Sequence, residues 1–474
     1  MTAISLGRVT MQLLAARAVV YVLSLLNSIV LVRSLGAERF GGYAYAAGVA
    51  ALFALLPQMG ISTIVMRTIA QDADAAAGLV RAALRAQLVV AIALAALVPA
   101  LAALLPEQPV PLGWIALAAA QLAIGTLSWP YLAVVGGRAR YDRLAAAELT
   151  TAVAGTVTLI AAAALRGDVR AFLWAHVAAA TAAVIVAWTV ARPLMPRGAG
   201  TSPGAWRLVR QGLPFAAGTA AQSLYTRLDM VLLGQLTTTR EVGLYGAAYK
   251  PITMATYFGT TVAGALFPLM ARAPGGATPV AFERAVRALV VLGPAAALAL
   301  SGLAGLLLGL LYGAEFAAAG PVLVVLAWSV AANWLYAPLA IALQAGGRER
   351  RWLLALTGAV GVNALVNVLA IPRWGAVGAA LATLVSETLL VGAVAIAARA
   401  LALRLPVRLV AGALVAAAVG AGVLWSAAPL GPLASTAAAL AAYGAVVSLL
   451  GLVGADDVGR VLGWVRSAVP VAHG

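Results

Sequence analysis

Six ionisable side chains stand well inside long apolar stretches of this chain: Arg17, Glu148, Arg227, Asp229, Lys250 and Glu387. Placing such a group in hydrocarbon costs about 2.5–3.5 kcal/mol on insertion scales, so each must face a polar cavity or a partner. Helical spacing gives them neighbours. Arg17, Tyr21, Ser24 and Ser28 follow i, i+4, i+7, i+11 and form one polar stripe, and Lys250, Thr253, Tyr257 and Thr261 repeat nearly the same spacing. Gln222, Tyr225, Thr226 and Asp229 cluster on a third helix, where Arg227 lies about 200° around the axis from Asp229. Asn363 and Asn367 share a face, as do Thr383 and Glu387. A cation at the head of a row of hydroxyls reads as the lining of a polar cavity. The competing reading is that these charges pair with one another, Asp229 with Lys250 for instance, and fasten helices together.

Other chemistry is poorly supplied. There is no cysteine, and His176 and His473 are the only histidines, so thiolate metal sites, disulfides and paired-histidine zinc sites are excluded. His176, near the end of an apolar stretch, reads as a satisfied structural residue. The single lysine, Lys250, follows Tyr249 inside a span, which rules out a phosphate-cradling Gly-x-x-x-x-Gly-Lys loop. The longest connector, residues 191–211, is rich in Pro, Gly and Arg and reads as a linker rather than a catalytic domain. No enzyme, metal or organic cofactor is expected.

The elements that must position these groups are membrane spans. With 64% hydrophobic and 10% charged residues, the chain divides into stretches of about 20 apolar residues, enough to cross about 30 Å of hydrocarbon as helices. The first six are residues 9–32, 41–66, 84–105, 112–135, 144–165 and 171–190. After the connector come 212–236, 242–270, 285–311, 320–344, 352–371, 375–398, 409–427 and 432–453. The fold class is therefore an all-α polytopic membrane protein of about fourteen helices. The first stretch is full length, is interrupted by Arg17 and lacks a small-x-small exit site, so it is expected to stay in the membrane. Of the 31 Lys and Arg residues, 22 fall on alternate loops and the tails, 6 on the opposite loops and three inside spans. Cytoplasmic loops gather Lys and Arg, which places both termini in the cytoplasm. The net charge of +16 thus flanks anionic headgroups, and no nucleic-acid partner is expected.

An internal repeat organises the spans. Residues 35–46 (LGAERFGGYAYA) and 236–248 (LTTTREVGLYGAA) both place an apolar residue, Gly, any residue and Tyr at the entry to an even-numbered helix: Phe40, Gly41 and Tyr43 against Val242, Gly243 and Tyr245. Two six-helix units in succession insert with the same topology and carry a central cavity between them, as in transporters built from parallel repeats. The expected organisation is an N-terminal six-helix bundle (1–191), a cytoplasmic linker (192–211), a second six-helix bundle (212–399), and two extra helices with a tail (400–474). Pro57, Pro130, Pro214, Pro251, Pro268, Pro294 and Pro338 lie within spans, where each permits a kink.

The segments VLVRSLGAERFGGYAYA (30–46), LPFAAGTAAQSLYTRLDMVLLGQLTTTREVGLYGAAYK (213–250), LYGAEF (311–316) and NALVNVLAIPRWGAVGAALATLVSE (363–387) resemble the polysaccharide biosynthesis flippases of the multidrug/oligosaccharidyl-lipid/polysaccharide exporter superfamily. The resemblance covers helices one to twelve; the last two helices are the least typical part. It implies a multi-pass protein of the inner (plasma) membrane that moves an undecaprenyl-diphosphate-linked oligosaccharide between leaflets by alternating access. It also implies a cationic cavity. By position, Arg17 and Lys250 would carry the headgroup, with Arg227 as a further cation; helical spacing adds Tyr21, Tyr257, Asn363 and Asn367 as expected substrate contacts. Asp229, Glu148 and Glu387 would be the acids among which a coupling proton or sodium ion is exchanged. Implied partners are the lipid bilayer, the lipid-linked oligosaccharide, and a glycan polymerase or glycosyltransferases.

Two siblings of that superfamily compete. A multidrug exporter of cationic compounds favours an acidic cavity, whereas three cations and three acids leave no negative excess here. A peptidoglycan lipid-precursor flippase would also use cations.

Overall fold

The computed structural model describes residues 3–55, 60–72, 76–195, 204–271, 280–403 and 405–452, without the side chains of 3–15, 55, 211–217, 268–269 and 281. Linker residues 196–203, with Pro57, Arg197, Arg272, Arg404, Arg460, Arg466 and His473, lie outside the described residues. Everything described is helix or short connection, with no strand among those residues.

In chain order the helices are α1 (Ala3–Leu52), α2 (Ile61–Gln71), α3 (Ala76–Ala102), α4 (Leu112–Thr126), α5 (Trp129–Gly137), α6 (Tyr141–Ala164), α7 (Val169–Ala191) and α8 (Ala205–Leu236). They continue with α9 (Thr239–Ala265), α10 (Phe267–Ala271), α11 (Val280–Gly302), α12 (Ala304–Tyr312), α13 (Gly320–Ala345), α14 (Glu349–Ala398), α15 (Val407–Ser426) and α16 (Pro432–Leu449). Ten helical segments among the described residues are long and apolar enough to cross a membrane. The helices α8 and α9 are not among the ten. Both carry polar residues through their middle turns, Gln222 to Asp229 on α8 and Tyr249 to Thr261 on α9, which lowers their hydropathy.

Two helices of 50 residues each contain a glycine bend. In α1 the bend is Gly36 (φ 70°, ψ 173°) and in α14 it is Gly375 (φ 51°, ψ −130°). Only glycine adopts such angles at little cost. A carboxylate sits at each bend: Glu315 Oε1 lies 3.1 Å from where a Gly36 Cβ would be, and Glu241 Oε2 accepts the Ala376 N–H at 2.8 Å. The N–H groups freed where a helix restarts favour a negative charge. The bends therefore separate the first two and the eleventh and twelfth expected spans, as the sequence implied.

Two spans expected to be continuous are interrupted. The second ends as a short 3-10 turn at Leu55, and α2 restarts at Ile61 after Gly60 (φ 69°). The fourth is parted at Leu127–Ser128. Pro130 has no N–H to offer the Thr126 carbonyl one turn earlier, and Ser128 Oγ turns back onto the Gly125 carbonyl at 2.7 Å. By contrast α9, α11, α13 and α14 run through Pro251, Pro294, Pro338 and Pro372.

The chain resolves into two compact units. The first comprises residues 1–247, 311–315 and 363–379, and the second 248–310, 316–362 and 380–474. In the first, α1 packs along α6, α6 on α7, and α4 on both α3 and α7, while Ile61, Val65, Ile69, Leu79, Val80, Val134, Val135 and Leu208 form a buried apolar cluster. In the second, α11 packs on α13, α15 and α16 around Val291, Leu298, Ala416, Ala417, Tyr443 and Val447. The Tyr443 hydroxyl is satisfied there by the Val291 carbonyl at 2.6 Å.

Within the first unit the repeated hairpins meet. A Cβ on Gly41 would overlap the Thr239 carbonyl oxygen, and one on Gly243 would overlap the Ala37 carbonyl oxygen. A single shift of 202 residues carries Gly41 onto Gly243, Ala37 onto Thr239 and Tyr43 onto Tyr245, so the two contacts are reciprocal. Small residues let membrane helices approach this closely. Gly243→Val should therefore cost about 1–3 kcal/mol through overpacking. A lowered thermal midpoint of the detergent-purified protein would show it, and an unchanged midpoint would mean that this crossing is not tight.

Candidate functional site

The polar stripe of α1 is on an exposed face. Arg17, Tyr21 and Ser24 are exposed and Ser28 is half-buried; at about 100° per residue they fall within about 60° of arc. Val19, Val22 and Leu26 are also exposed, but they centre on the opposite side of the helix. One side of α1 is thus fit to face lipid and the other is not. Arg17 is paired: its Nε lies 3.4 Å and its Nη2 3.5 Å from the two carboxylate oxygens of Glu148 on α6, with side chains 46% and 27% exposed. Farther along, Ser28 Oγ meets the Tyr312 hydroxyl at 3.4 Å, and Arg33 Nε donates to the Leu311 carbonyl at 2.8 Å.

Asp229 is buried, at 4% exposure. Its two carboxylate oxygens are taken by different donors: the Tyr245 hydroxyl reaches Oδ2 at 2.7 Å and Asn367 Nδ2 reaches Oδ1 at 2.7 Å. Asn367 Nδ2 also donates to Asn363 Oδ1 at 2.9 Å. Each oxygen of this buried carboxyl group thus receives a side-chain donor from another helix. Three helices, α8, α9 and α14, thus converge on one acid. Two of the expected substrate contacts, Asn363 and Asn367, are gathered around an expected ion-exchanging acid. Both asparagines are buried.

The remaining expected residues are placed as follows. Lys250 is exposed on α9 with Thr253, Tyr257 and Thr261 along the same face. Arg227 is exposed on α8, pointing away from buried Asp229 as the spacing required, and acts electrostatically on Tyr43. Glu387 and Thr383 are both buried on α14.

Tyr245 is the contact that sequence reasoning missed. It was visible only as a repeat residue, and its repeat mate Tyr43 also bonds a titratable group: the Tyr43 hydroxyl lies 3.1 Å from His176 Nε2. His176 Nδ1 lies 2.8 Å from the Phe172 carbonyl, which fixes Nδ1 as the protonated nitrogen in the neutral ring and leaves Nε2 to accept from Tyr43. His176 is a satisfied structural residue, as expected. A tyrosine two residues beyond the glycine of both hairpins was the signal for Tyr245.

Residues 6–273 match the model of a family described as polysaccharide biosynthesis protein. A curated relative, the probable low-salt glycan biosynthesis flippase Agl15 of Haloferax volcanii, is 26% identical over 168 residues. That match covers 34% of this chain and 35% of the relative, so it spans about a third of the relative's length. Among solved structures, a lipid II flippase, MurJ, in an inward closed conformation is similar with a TM-score of 0.72 at 9% identity, over 93% of this chain and 98% of that one. An inward-facing multidrug resistance transporter of the MATE family, in the MOP superfamily, is similar with a TM-score of 0.60 at 15% identity, over 79% of this chain and 93% of that one. At such identities the likeness is one of fold alone, that of a multi-pass helical membrane protein.

Proposed function

We propose, for a chain that belongs to the polysaccharide biosynthesis protein family, that it is a flippase for an undecaprenyl-diphosphate-linked oligosaccharide of the inner membrane, working by alternating access. In this reading fourteen spans form two six-helix bundles and a terminal pair, and both termini are cytoplasmic. A diphosphate with a hydrated glycan does not cross hydrocarbon unaided, because even one uncompensated charge is very expensive to bury. The observation that carries the reading is the polar stripe of α1, whose only ionisable cation, Arg17, stands exposed on the side opposite the apolar exposed residues.

Arg17 and Lys250 meet the diphosphate, and Tyr21 and Tyr257 meet the first sugars. Guanidinium pairs with phosphate oxygens through a planar fork of N–H donors, and the hydroxyls along each stripe replace water around the glycan. Arg227 is a further cation for the headgroup. Asp229, held by Tyr245 and Asn367, is the acid that exchanges a proton or sodium ion, and Glu387 is a second buried acid able to do so. Once the headgroup is outside, a polymerase or glycosyltransferase of the same assembly route receives the glycan.

The test is transport in liposomes holding the purified chain and a fluorescent polyprenyl-diphosphate oligosaccharide. The expected result is protein-dependent loss of fluorescence to a membrane-impermeant quencher. Movement of a peptidoglycan lipid precursor but not of the oligosaccharide would replace this reading with the sibling one.

A further inference from the structure

The pairing of Arg17 with Glu148 says more than that two charges meet. Among the described residues Glu148 is the one partner of Arg17, and Arg17 the one partner of Glu148. Their separations of 3.4 and 3.5 Å are long for a charge-assisted pair, which usually closes to about 2.7–2.9 Å. The protein makes such a short pair elsewhere: Arg140 and Asp142, at the start of α6, meet at 2.6 and 2.9 Å. The Arg17 pair is looser although its arginine side chain is about as exposed as that of Arg140, at 46% against 44%.

Among the described residues neither charge has a second ion-pair partner. On α1, residues 13–24 hold Tyr21 as the only other titratable group. On α7, which runs antiparallel to α6 with Gly155 beside Ala179 and Arg143 on the Val190 carbonyl, residues 177–191 hold no ionisable group. On α5 there is Tyr131 alone, and beyond it Arg138, Arg140, Asp142 and Arg143 belong to the loop and the first turn of α6. The pair is also not the sole contact between its helices, since α1 and α6 pack extensively on one another.

From this geometry we infer that Glu148 is a built-in stand-in for the anionic headgroup: it occupies Arg17 while the carrier is empty and yields it when a diphosphate arrives. The inference rests on the reading of Arg17 as a headgroup cation. A carrier must pass through its cycle both loaded and empty, and a bare guanidinium would be costly in the empty passage. A loose, partly exposed carboxylate removes that cost and remains displaceable, because a diphosphate offers the guanidinium more negative charge and more acceptor oxygens than one carboxylate. Competitor and ligand are coupled, so removing the competitor tightens the ligand.

The experiment titrates inorganic pyrophosphate into the purified full-length protein in nanodiscs, for the wild type, Glu148→Gln, Glu148→Asp, Arg17→Ala and the double variant. The expected result is binding about tenfold tighter in Glu148→Gln, a typical size for coupling between two sites. Wild-type-like affinity is expected in Glu148→Asp, and loss of binding in both variants that lack Arg17. In liposomes Glu148→Gln should turn over more slowly despite its tighter binding. If Arg17→Ala abolishes binding but Glu148→Gln binds as the wild type does or more weakly, the stand-in role is overturned while Arg17 remains a headgroup cation. If Arg17→Ala binds pyrophosphate like the wild type, the headgroup reading itself fails. Should Glu148→Gln not yield folded protein, Glu148→Ala takes its place with the same expected tightening.

Discussion

Arg17→Ala and Lys250→Ala should each cut surface glycan to a small fraction of the wild-type level while leaving the amount of protein in the membrane unchanged. A hydrogen bond to a charged group contributes about 1.5–3 kcal/mol, so each variant should lose roughly ten- to 150-fold in its hold on the diphosphate. Folding should not suffer. Each substitution removes an ionisable group from an apolar stretch, which favours insertion by about 2.5–3.5 kcal/mol on the translocon scale. The two variants differ in what is left behind. Arg17→Ala strands Glu148, whose partner it is, whereas Lys250→Ala leaves the hydroxyl stripe of Thr253, Tyr257 and Thr261 without its cation. Staining of intact cells for surface glycan, with an immunoblot of membranes as the control, reads both quantities. Normal export by both variants would remove the cations from the mechanism.

Asp229→Asn is expected to uncouple rather than to abolish transport. The asparagine has nearly the shape of the aspartate, but it carries no charge and exchanges no ion. Its amide would also face Tyr245 and Asn367, both donors to the native carboxylate, with only one acceptor oxygen to offer them. In liposomes with an imposed proton or sodium gradient, gradient-driven movement of the lipid-linked oligosaccharide should fall by about 5–150-fold, the span of ordinary coupling free energies. Pyrophosphate binding at Arg17 should persist. Undiminished gradient-driven transport would exclude Asp229 as the coupling acid and direct attention to Glu387. Tyr245→Phe is the milder companion: it removes one donor and should lose less than Asp229→Asn.

Periodicity made much of this legible. The stripe beginning at Arg17, the opposed directions of Asp229 and Arg227, and the shared face of Asn363 and Asn367 all follow from the rotation per residue of a helix. The glycines that the two hairpins share are also where those hairpins cross. What periodicity cannot give is which face of one helix meets which face of another. Arg17 and Glu148 are 131 residues apart, and Asp229 and Asn367 are 138 apart. Charge alone could not show that the Tyr245 hydroxyl and the Asn367 amide donate to Asp229.

Helix boundaries were legible where a glycine or proline had one physical outcome. Gly36 falls between two expected spans and Gly375 opens one, and both adopt angles that other residues avoid. Prolines were less decisive. Pro130 accompanies an interruption between α4 and α5, whereas Pro251 and Pro294 are carried inside continuous helices, because neighbouring groups and small local adjustments can satisfy the freed carbonyl. The carboxylates at the bends, Glu241 and Glu315, had no sequence signature beyond their place in loops.

Water accessibility of the α1 stripe tests the central claim most directly, and the absence of native cysteine makes the measurement clean. Ser24→Cys and Val22→Cys place single thiols at two exposed positions on opposite sides of α1, the native Val22 being 67% exposed. A charged, membrane-impermeant thiol reagent is applied to the protein in liposomes, with and without pyrophosphate. If the stripe lines a wet chamber that receives an anionic headgroup, Ser24→Cys reacts, pyrophosphate slows that reaction through Arg17, and Val22→Cys stays unreactive in lipid. If Ser24→Cys is as silent as Val22→Cys, the stripe faces hydrocarbon and the account is wrong.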